Sequence, residues 1–243
     1  MKKKFDRQNA ILQGIIHPED HSHNRRRLEG FYGKVAREQN AFISRYCVGE
    51  TILDVGAGYG NLCRELLRMG KHVEAIEVDE EKIQKAWEWM GVRLTFCSLY
   101  EWENSVDTVI FREAINHLDL GPAFSQAFRL AKRRCLVFQG SEIFPLRIAK
   151  KIYDHHEYDQ KSLAQILSGL EKAGFVVRKT IYRDVLAYPL SGGWKGVCWV
   201  PSSDRVQDML LRMDRYLLKI VQNLKIAPYL CFRTLIVAEK PEF

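Results

Sequence analysis

Three glycines at alternate positions follow a short apolar run in the segment ILDVGAGYGNL, residues 52–62. A glycine inside a regular helix or strand costs about 0.5–1 kcal/mol relative to alanine, so this density of glycine argues against a regular element. Gly56 and Gly58 permit a tight turn in which the backbone approaches a ligand closely, and Gly60 permits a helix to begin beside the preceding strand. The segment therefore predicts a strand, a ligand-binding loop and a helix, in that order.

The rest of the chain alternates between strand-like and helix-like segments. Such alternation predicts an α/β fold with a doubly wound parallel sheet and helices on both faces. Ligands bind these sheets at the carboxyl ends of the strands, which is where the glycine cluster falls. The predicted strands are residues 51–56, 72–78, 93–99, 107–112, 134–140, 176–182 and 232–240, and the predicted intervening helices are residues 61–70, 79–91, 123–132 and 162–175.

Composition narrows the class of protein further. The chain has 243 residues, and its net charge of +7 permits an anionic partner without requiring one. No apolar run reaches the length of about 18 residues that a transmembrane helix needs. The six cysteines are widely spaced and include no Cys-x-x-Cys pair, which favours a reduced, cytoplasmic protein without a zinc site. His17, His21 and His23 lie in a polar turn, where metal binding is not expected.

Asp54 stands two residues before the first glycine of the cluster. The dinucleotide fingerprint is G-x-G-x-x-G, whereas the spacing here is G-x-G-x-G. A carboxylate at this position would repel a pyrophosphate but attract a cationic cofactor such as S-adenosylmethionine, which carries a sulfonium and an ammonium group. A nicotinamide-dependent oxidoreductase is the alternative from another class of enzyme.

The segment LDVGAGYG resembles the first motif of class I S-adenosylmethionine-dependent methyltransferases, in which an acid precedes G-x-G-x-G. The likeness covers roughly residues 51–175 and the final strand. It implies a seven-stranded, mostly parallel sheet whose last strand is antiparallel, with S-adenosylmethionine as the cofactor. The implied cofactor-binding residues in this segment are Asp54, Gly56, Ala57, Gly58 and Gly60.

The resemblance also implies cofactor contacts beyond the glycine loop. Glu77 ends the second strand at the position where the family binds both ribose hydroxyls with an acid, and Val78 follows it. Ser98 stands where the family usually has an acid that contacts the adenine amino group, so its hydroxyl is expected to take this role while Leu99 packs on the ring. Asp79 is expected to cap the next helix.

The segment FREAINHLDLG follows the fourth strand, in the region that borders the transferred methyl group in the family. Arg112 is assigned to the cofactor and Asn116 to the substrate. His117 is the candidate general base, because imidazole titrates near neutral pH. Glu113 is expected to contact the cofactor or to orient the substrate. For His117, capping or packing within a helix is the structural alternative.

Two downstream segments supply candidate substrate contacts. Tyr153, His155 and His156 follow the fifth strand, in a stretch that often overhangs the acceptor in this fold, with a plain surface role as the alternative. Trp194 and Lys195 lie in AYPLSGGWKG, where two glycines, an aromatic ring and a cation suggest a lid over a pocket. An ordinary hairpin with a core tryptophan is the alternative there.

Residues 205–224 predict one further helix, which is basic and amphipathic. Its apolar stripe is expected to pack on the core or on a partner, and an anionic membrane surface is the third alternative. The predicted stripe comprises Val206, Met209, Leu210, Met213, Leu217, Ile220, Val221 and Leu224.

These segments are expected to form a single domain over residues 1–243. Residues 1–50 would be an N-terminal helical cap and residues 51–183 the cofactor-binding core. Residues 184–229 would be an insertion that covers the acceptor pocket, before the final strand in residues 230–243.

The absence of motifs typical of nucleic-acid methyltransferases narrows the range of expected methyl acceptors. The region after the fourth strand has neither the Asp/Asn-Pro-Pro-aromatic motif nor the Pro-Cys pair of base methyltransferases, and no RNA-binding appendage is recognisable. The expected function is therefore methyl transfer to an oxygen or nitrogen of a small-molecule acceptor, anionic or amphiphilic, with nucleic acid not expected as a partner and peripheral membrane contact left open. The alternatives are an RNA or membrane-lipid methyltransferase and a catalytically inactive cofactor-binding protein.

Overall fold

The structure, a computed structural model, describes residues 21–141, 161–193 and 197–241. One seven-stranded sheet runs through it in the order β3-β2-β1-β4-β5-β7-β6, and β7 is antiparallel to both of its neighbours while the other pairs are parallel. The predicted α/β fold and its antiparallel last strand are confirmed. The strands are β1 (Thr51–Val55), β2 (His72–Glu77), β3 (Thr95–Phe96), β4 (Val106–Arg112), β5 (Ala131–Gly140), β6 (Val176–Arg183) and β7 (Arg233–Glu239).

Helices precede, connect and follow these strands. The described helices are α1 (His21–Glu29), α2 (Phe31–Ser44), α3 (Asn61–Arg68), α4 (Glu80–Met90), α5 (Leu120–Leu130), α6 (Leu163–Lys172), α7 (Ala187–Leu190), α8 (Asp204–Asn223) and α9 (Ala227–Leu230), with short 3-10 turns at Leu99–Glu101 and Ile115–His117.

Alternate residues of the central strands feed two separate cores. Leu53 of β1 faces a core that includes Phe124 of α5 and Ile166 of α6. Its neighbour Ile52 faces the opposite side, where Ile43 of α2 and Leu66 of α3 pack. Because successive residues of a strand point to opposite faces, a sheet buried on both sides needs the continuous apolar strands found here.

The chain changes direction across the sheet between β1 and β4, since β2 and β3 extend to one side and β5 to the other. At such a switch point the loops after two neighbouring strands diverge and leave a crevice at the carboxyl ends of the strands. The glycine loop follows β1 and the segment with Glu113 and His117 follows β4, so the topology brings both segments to one crevice.

Three local predictions were wrong. The predicted third strand pairs only over two residues, because Ser98 caps the 3-10 turn that starts at Leu99. Residues 131 and 132 belong to β5 rather than to the preceding helix, which begins after the capping residue Asp119. The spacing of Leu62, Leu66 and Leu67 in the predicted helix 61–70 predicts that all three are buried, but Leu67 is exposed and only the other two are buried. Asp79 caps α4 as predicted, by accepting the backbone N–H of Glu81 at 3.0 Å.

No helix among the described residues is both long and apolar enough to span a bilayer.

Candidate cofactor and acceptor site

A cavity of about 740 Å³ lies at the switch point of the sheet. Its walls come from α1, the glycine loop, the ends of β2 and β4, the 3-10 turn after β3, α7 and β7. Volumes between about 300 and 1,000 Å³ are typical of sites for small molecules and cofactors.

The glycine loop forms one wall and is tied to the end of β2. The N–H groups of Gly56 and Ala57 both donate to the Ile76 carbonyl, at 2.9 and 3.0 Å. Gly58 has a φ of 58°, and a Cβ added there would meet no atom within 4 Å. Since Gly58 also lines the cavity, the space beside it is open to a ligand.

Gly60 serves packing rather than the cavity. Its φ of 73° lies in the left-handed region, and an added Cβ would come within 2.3 Å of Val92 Cγ2. The helix α3 starts immediately after it. Gly60, which the resemblance assigns to the cofactor, is not among the residues that line the cavity.

Glu77 lies at the end of β2 with its carboxylate held by three backbone amides. Oε2 accepts the N–H of Gly58 at 2.8 Å, and Oε1 accepts those of Val78 at 2.8 Å and Asp79 at 3.2 Å. A carboxylate has about four acceptor sites, so the loop already uses most of this capacity. Glu77 and Val78 both line the cavity.

Asp54 is buried at the end of β1, and its Oδ2 has no hydrogen-bond partner among the described residues. Burial raises the pKa of Asp54 to about 7; Arg112 lowers it and Glu77 raises it, with a smaller lowering by the amide of Cys63. An unpartnered buried carboxylate oxygen is costly, and a cation in the cavity would offset that cost. Asp54 therefore fits the ammonium group of a cationic cofactor.

The predicted adenine contacts lie on the far side of Glu77. Ser98 and Leu99 both line the cavity, and Leu99 is buried. The Ser98 hydroxyl caps its 3-10 turn by accepting the N–H of Tyr100 at 3.4 Å. Tyr100, which the sequence analysis did not select, lines the cavity beside them.

The segment after β4 borders the cavity from the opposite side. Arg112, Glu113 and His117 line it. Arg112 donates to Oε1 of Gln39 at 3.2 Å. Asn116 is not among the lining residues; its Oδ1 accepts the backbone N–H of Lys161 at 3.1 Å, which ties this segment to the start of α6.

Glu113 forms an ion pair with the buried Arg233 that the sequence did not reveal. Its Oε1 accepts from Nη1 of Arg233, on β7, and the Arg233 guanidinium carbon lies 3.9 Å from the ring centroid of Tyr188, on α7. Burial by itself lowers the pKa of Arg233, but Glu113 and Tyr188 raise it by more, so the guanidinium stays charged. All three residues line the cavity, although 120 positions separate Glu113 from Arg233.

Side chains of α1 and Tyr59 also line the cavity, and the sequence analysis did not predict them as site residues. Asn24 donates to the hydroxyl of Tyr59 at 3.1 Å. Arg27 donates to Asn24 at 3.3 Å, and its guanidinium carbon lies 4.5 Å from the ring centroid of Tyr32. His21 and His23 belong to this helix, so their predicted placement in a polar turn was wrong, and no local pattern pointed to the helix as a cavity wall.

Several predicted residues lie outside the described part of the chain. These are His17 and the five candidate substrate contacts Tyr153, His155, His156, Trp194 and Lys195.

Fold and cavity together define a Rossmann-like protein with a site for a cationic nucleoside. The sheet order 3-2-1-4-5-7-6 places the acid Glu77 beside the glycine loop. The unpartnered Oδ2 of Asp54 and the open space beside Gly58 fit the ammonium group and the body of S-adenosylmethionine.

Comparison with known proteins agrees with this definition. A family model described as a methyltransferase domain matches residues 53–138. The magnesium protoporphyrin IX methyltransferase of Synechocystis PCC 6803, solved with bound S-adenosylhomocysteine, superposes with a TM-score of 0.55 at 16% identity, over 96% of this chain and 93% of that one. A comparison with curated protein sequences gives no significant match.

Two other solved structures are similar to the same extent. A methyltransferase from Archaeoglobus fulgidus matches with a TM-score of 0.60 at 15% identity, over 86% of this chain and 94% of that one. The geranyl diphosphate C-methyltransferase of Streptomyces coelicolor A3(2) matches with a TM-score of 0.62 at 16% identity, over 86% of this chain and 80% of that one. At these identities the likeness shows the fold.

Residues 53–138 therefore match a methyltransferase domain, and the described chain has the fold of S-adenosylmethionine-dependent methyltransferases. The glycine loop and the acid of β2 belong to the part of the chain that the family model covers. The cofactor predicted from the sequence is confirmed.

Proposed function

We propose that this methyltransferase acts on an anionic small molecule, whose negative group is bound by Arg27 and Arg233. The bound cofactor supplies an electrophilic methyl group with a good leaving group, so the protein has to align the acceptor and exclude water. What distinguishes this chain is therefore the set of side chains on the acceptor side of the cavity.

The proposal of an anionic acceptor is supported by one observation: three cavity-lining guanidinium groups use little of their hydrogen-bonding capacity. Within the described part of the chain, Arg27 donates one hydrogen bond to Asn24, Arg112 one to Gln39 and Arg233 one to Glu113. A guanidinium has about five N–H donors, so roughly four remain on each. Carboxylates and phosphates are the groups that satisfy such donors best.

We assign each of the three arginines to the cofactor or to the acceptor on the basis of the side chains around it. Arg112 lowers the pKa of Asp54 by its charge, and we assign it to the carboxylate of the cofactor, close to the ammonium that Asp54 would hold. Arg27 and Arg233 contact the aromatic rings of Tyr32 and Tyr188, which suits an acceptor with both an anionic and an apolar part. One structural neighbour acts on geranyl diphosphate, a molecule of this kind.

We assign His117 as the general base for an acceptor that loses a proton on methylation. It lies in the 3-10 turn after β4 and lines the cavity. Glu113 is assigned as a positioning residue, because its carboxylate is paired with Arg233 and orients that guanidinium. The predicted roles of Tyr153, His155, His156, Trp194 and Lys195 stay predictions.

Turnover with radiolabelled S-adenosylmethionine against paired acceptors tests this proposal. Each pair should consist of an acid and its neutral amide or ester, so that only the charge differs. We expect the acid to be methylated and its neutral partner to react at least about tenfold more slowly, the value of one hydrogen bond to a charged group. Equal rates for acid and neutral partner would contradict the proposal.

The variant Arg27→Gln separates acceptor binding from cofactor binding. It should raise KM for the anionic acceptor by roughly tenfold to a hundredfold, while the dissociation constant of S-adenosylhomocysteine stays the same. Arg26→Gln is the matched control, since Arg26 precedes Arg27 on the same helix but is exposed and does not line the cavity. An unchanged KM in Arg27→Gln would exclude Arg27 from the acceptor site.

A further inference from the structure

The helix α8 presents an apolar row to solvent on the side opposite to its buried face. Met209, Met213, Tyr216, Ile220 and Leu224, at its end, have exposed fractions of 58, 42, 66, 36 and 63%. Their spacing of four, three, four and four residues places them on one side of the helix. We call these five residues the outer face of α8.

This outer face is not the side by which α8 packs on the protein. Leu211 and Leu218 are buried in two different clusters beneath the helix, and Val221 is buried beside Leu218. Asp214, also on the buried side, accepts the backbone N–H groups of Leu186 and Ala187 at 2.5 and 2.8 Å. The attachment of α8 is therefore complete without its outer face.

A row of cations runs alongside the outer face. Arg205, Arg212 and Lys219 follow one another at intervals of seven residues, which aligns them along the helix, and all three are exposed. None of them has an ion-pair partner among the residues that the structure describes. The row is adjacent to the apolar one, because Arg205 precedes Met209 by four residues and Arg212 precedes Tyr216 by four, the spacing of neighbours on a helix surface.

The acidic residues of α8 are paired with other parts of the protein or buried. Asp204 and Asp208 bind Lys34 of α2, at 2.7 and 3.3 Å, and Asp214 is buried. Asp208 borders the cationic row, because it lies three residues after Arg205 and four before Arg212, but its carboxylate is paired with Lys34. The surface formed by the outer face and the cationic row is therefore apolar and positive.

We propose that this surface docks the enzyme on an anionic lipid bilayer. An amphipathic helix with an apolar side and neighbouring Lys and Arg lies in the interfacial plane of such a bilayer, and aromatic side chains such as Tyr216 favour that interface. The helix α9 packs against the end of α8 and also exposes an apolar ring, that of Tyr229. Docking would be peripheral and reversible.

The positive charge of this surface makes a second copy of the chain a less favourable partner than an anionic bilayer. An isologous dimer brings the same patch of both subunits together, so two rows of Arg205, Arg212 and Lys219 would meet in one interface. Like charges at close range oppose such an association, whereas a bilayer rich in acidic headgroups neutralises all three.

Co-sedimentation of the purified full-length protein with lipid vesicles tests the proposal. One set of vesicles contains phosphatidylcholine with phosphatidylglycerol, and the other phosphatidylcholine alone. We expect binding to the anionic set only, weakened by salt. Arg212→Glu/Lys219→Glu and Met213→Glu/Ile220→Glu should each reduce the partition coefficient by at least about tenfold. The control Arg133→Glu/Lys179→Glu makes the same charge change at exposed positions on β5 and β6 and should bind normally.

Thermal unfolding and S-adenosylhomocysteine binding of every variant verify that the fold and the cofactor site are intact. Failure of the wild-type protein to bind anionic vesicles would overturn the proposal, as would equal binding by the α8 variants. A dimer seen by sedimentation velocity and dissociated by Met213→Glu/Ile220→Glu would overturn it in favour of a second copy. None of these outcomes depends on which acceptor is methylated.

Discussion

The backbone N–H of Gly58 donates to Oε2 of Glu77 at 2.8 Å, so the glycine loop and the acid of β2 hold each other in position. With the amides of Val78 and Asp79 on Oε1, Glu77 has about one acceptor site left for the two ribose hydroxyls assigned to it. Binding both hydroxyls therefore requires that at least one amide be released or shared.

We expect Glu77→Gln to weaken S-adenosylhomocysteine binding by roughly tenfold to a hundredfold, because hydrogen bonds to a charged group contribute about 1.5–3 kcal/mol. Titration calorimetry measures the effect. Glu74→Gln is the matched control, since Glu74 lies on the same strand but is exposed. In labelled wild-type protein the amide resonance of Gly58 or Asp79 should also shift on binding. Unchanged affinity in Glu77→Gln would exclude Glu77 from the ribose site.

The buried carboxyl of Asp54 should make cofactor binding depend on pH. With a pKa of about 7 in the ligand-free protein, Asp54 must lose a proton before it can pair with the cofactor ammonium. The affinity for S-adenosylhomocysteine should therefore rise by up to about tenfold per pH unit toward pH 7 and level off above it. Asp54→Asn should bind weakly and lose this dependence, and calorimetry in buffers of different ionisation enthalpy should detect proton release by the wild type. An identical pH profile in Asp54→Asn would contradict the assignment.

The carboxyl of Asp54 should also make the free energy of unfolding depend on pH. Here the expected direction is the opposite of that for cofactor affinity. The pKa of Asp54 is higher in the folded state than its ordinary value near 3.8, so between about pH 4 and 7 the folded state binds the extra proton. Stability should fall as pH rises through this window, by up to about 1.4 kcal/mol per unit for one group. Asp184, whose pKa burial raises to about 6, adds to the slope below pH 6. Urea unfolding of Asp54→Asn should show a shallower slope, and a steeper one would contradict this prediction.

Alanine at Gly58 and at Gly60 should separate cofactor binding from folding. Both glycines have a positive φ, so both substitutions carry a strain of about 1–2 kcal/mol. Only Gly60→Ala adds a clash, with Val92, and it should lower Tm more than Gly58→Ala by several degrees. Gly58→Ala places a methyl group in the cavity and should weaken S-adenosylhomocysteine binding more. Calorimetry and thermal melts give both quantities, and a reversed order would disprove the division of roles.

Loss of the imidazole of His117 should affect turnover and not cofactor binding. If it is the general base, His117→Gln should lower kcat by about 10²–10⁴-fold while the affinity for S-adenosylhomocysteine stays the same. The acidic limb of the pH–rate profile should disappear as well. A parallel fall in cofactor affinity would instead indicate that His117 holds the loop after β4 in place.

Replacing Asp214 should destabilise the wall that carries Tyr188. Asp214→Ala leaves the amides of Leu186 and Ala187 without their acceptor, at a cost of about 1–3 kcal/mol each for a buried donor. Asp208→Ala, on the exposed side of the same helix, should change stability by less than about 1 kcal/mol, since its ion pair with Lys34 is at the surface. Urea unfolding compares the two variants. Equal effects would show that Asp214 is not a structural anchor.

The glycine loop could be located from sequence because it depends on local geometry, and Glu77 could be located through the resemblance to the methyltransferase family. A strand that turns tightly into a helix needs glycines at set positions, and the next parallel strand ends beside it. The ion pair between Glu113 and Arg233 could not be found in this way. It joins β7 to the loop after β4 across 120 residues, and neither residue carries a local pattern that indicates a partner.

The helix α8 is a second feature that the sequence predicted only in part. The periodicity predicted the helix correctly, but the prediction of which side is buried was wrong. Met209, Met213 and Leu224 are exposed, whereas Leu211 and Leu218 are buried. The helix has apolar residues on both sides, so periodicity alone could not tell which side meets the protein. Asp214 lies on the buried side, where it accepts the backbone N–H groups of residues 186 and 187.

Local sequence patterns were enough to predict the order of strands and helices and the glycine loop, since these follow from backbone conformation and from the alternation of apolar residues, and the family resemblance pointed to Glu77. The three-dimensional fold was needed to show which charges line the cavity and which side of α8 meets solvent. These features depend on contacts between segments far apart in the chain, and an Arg or a Leu has the same local pattern whether it faces a cavity, a core or water.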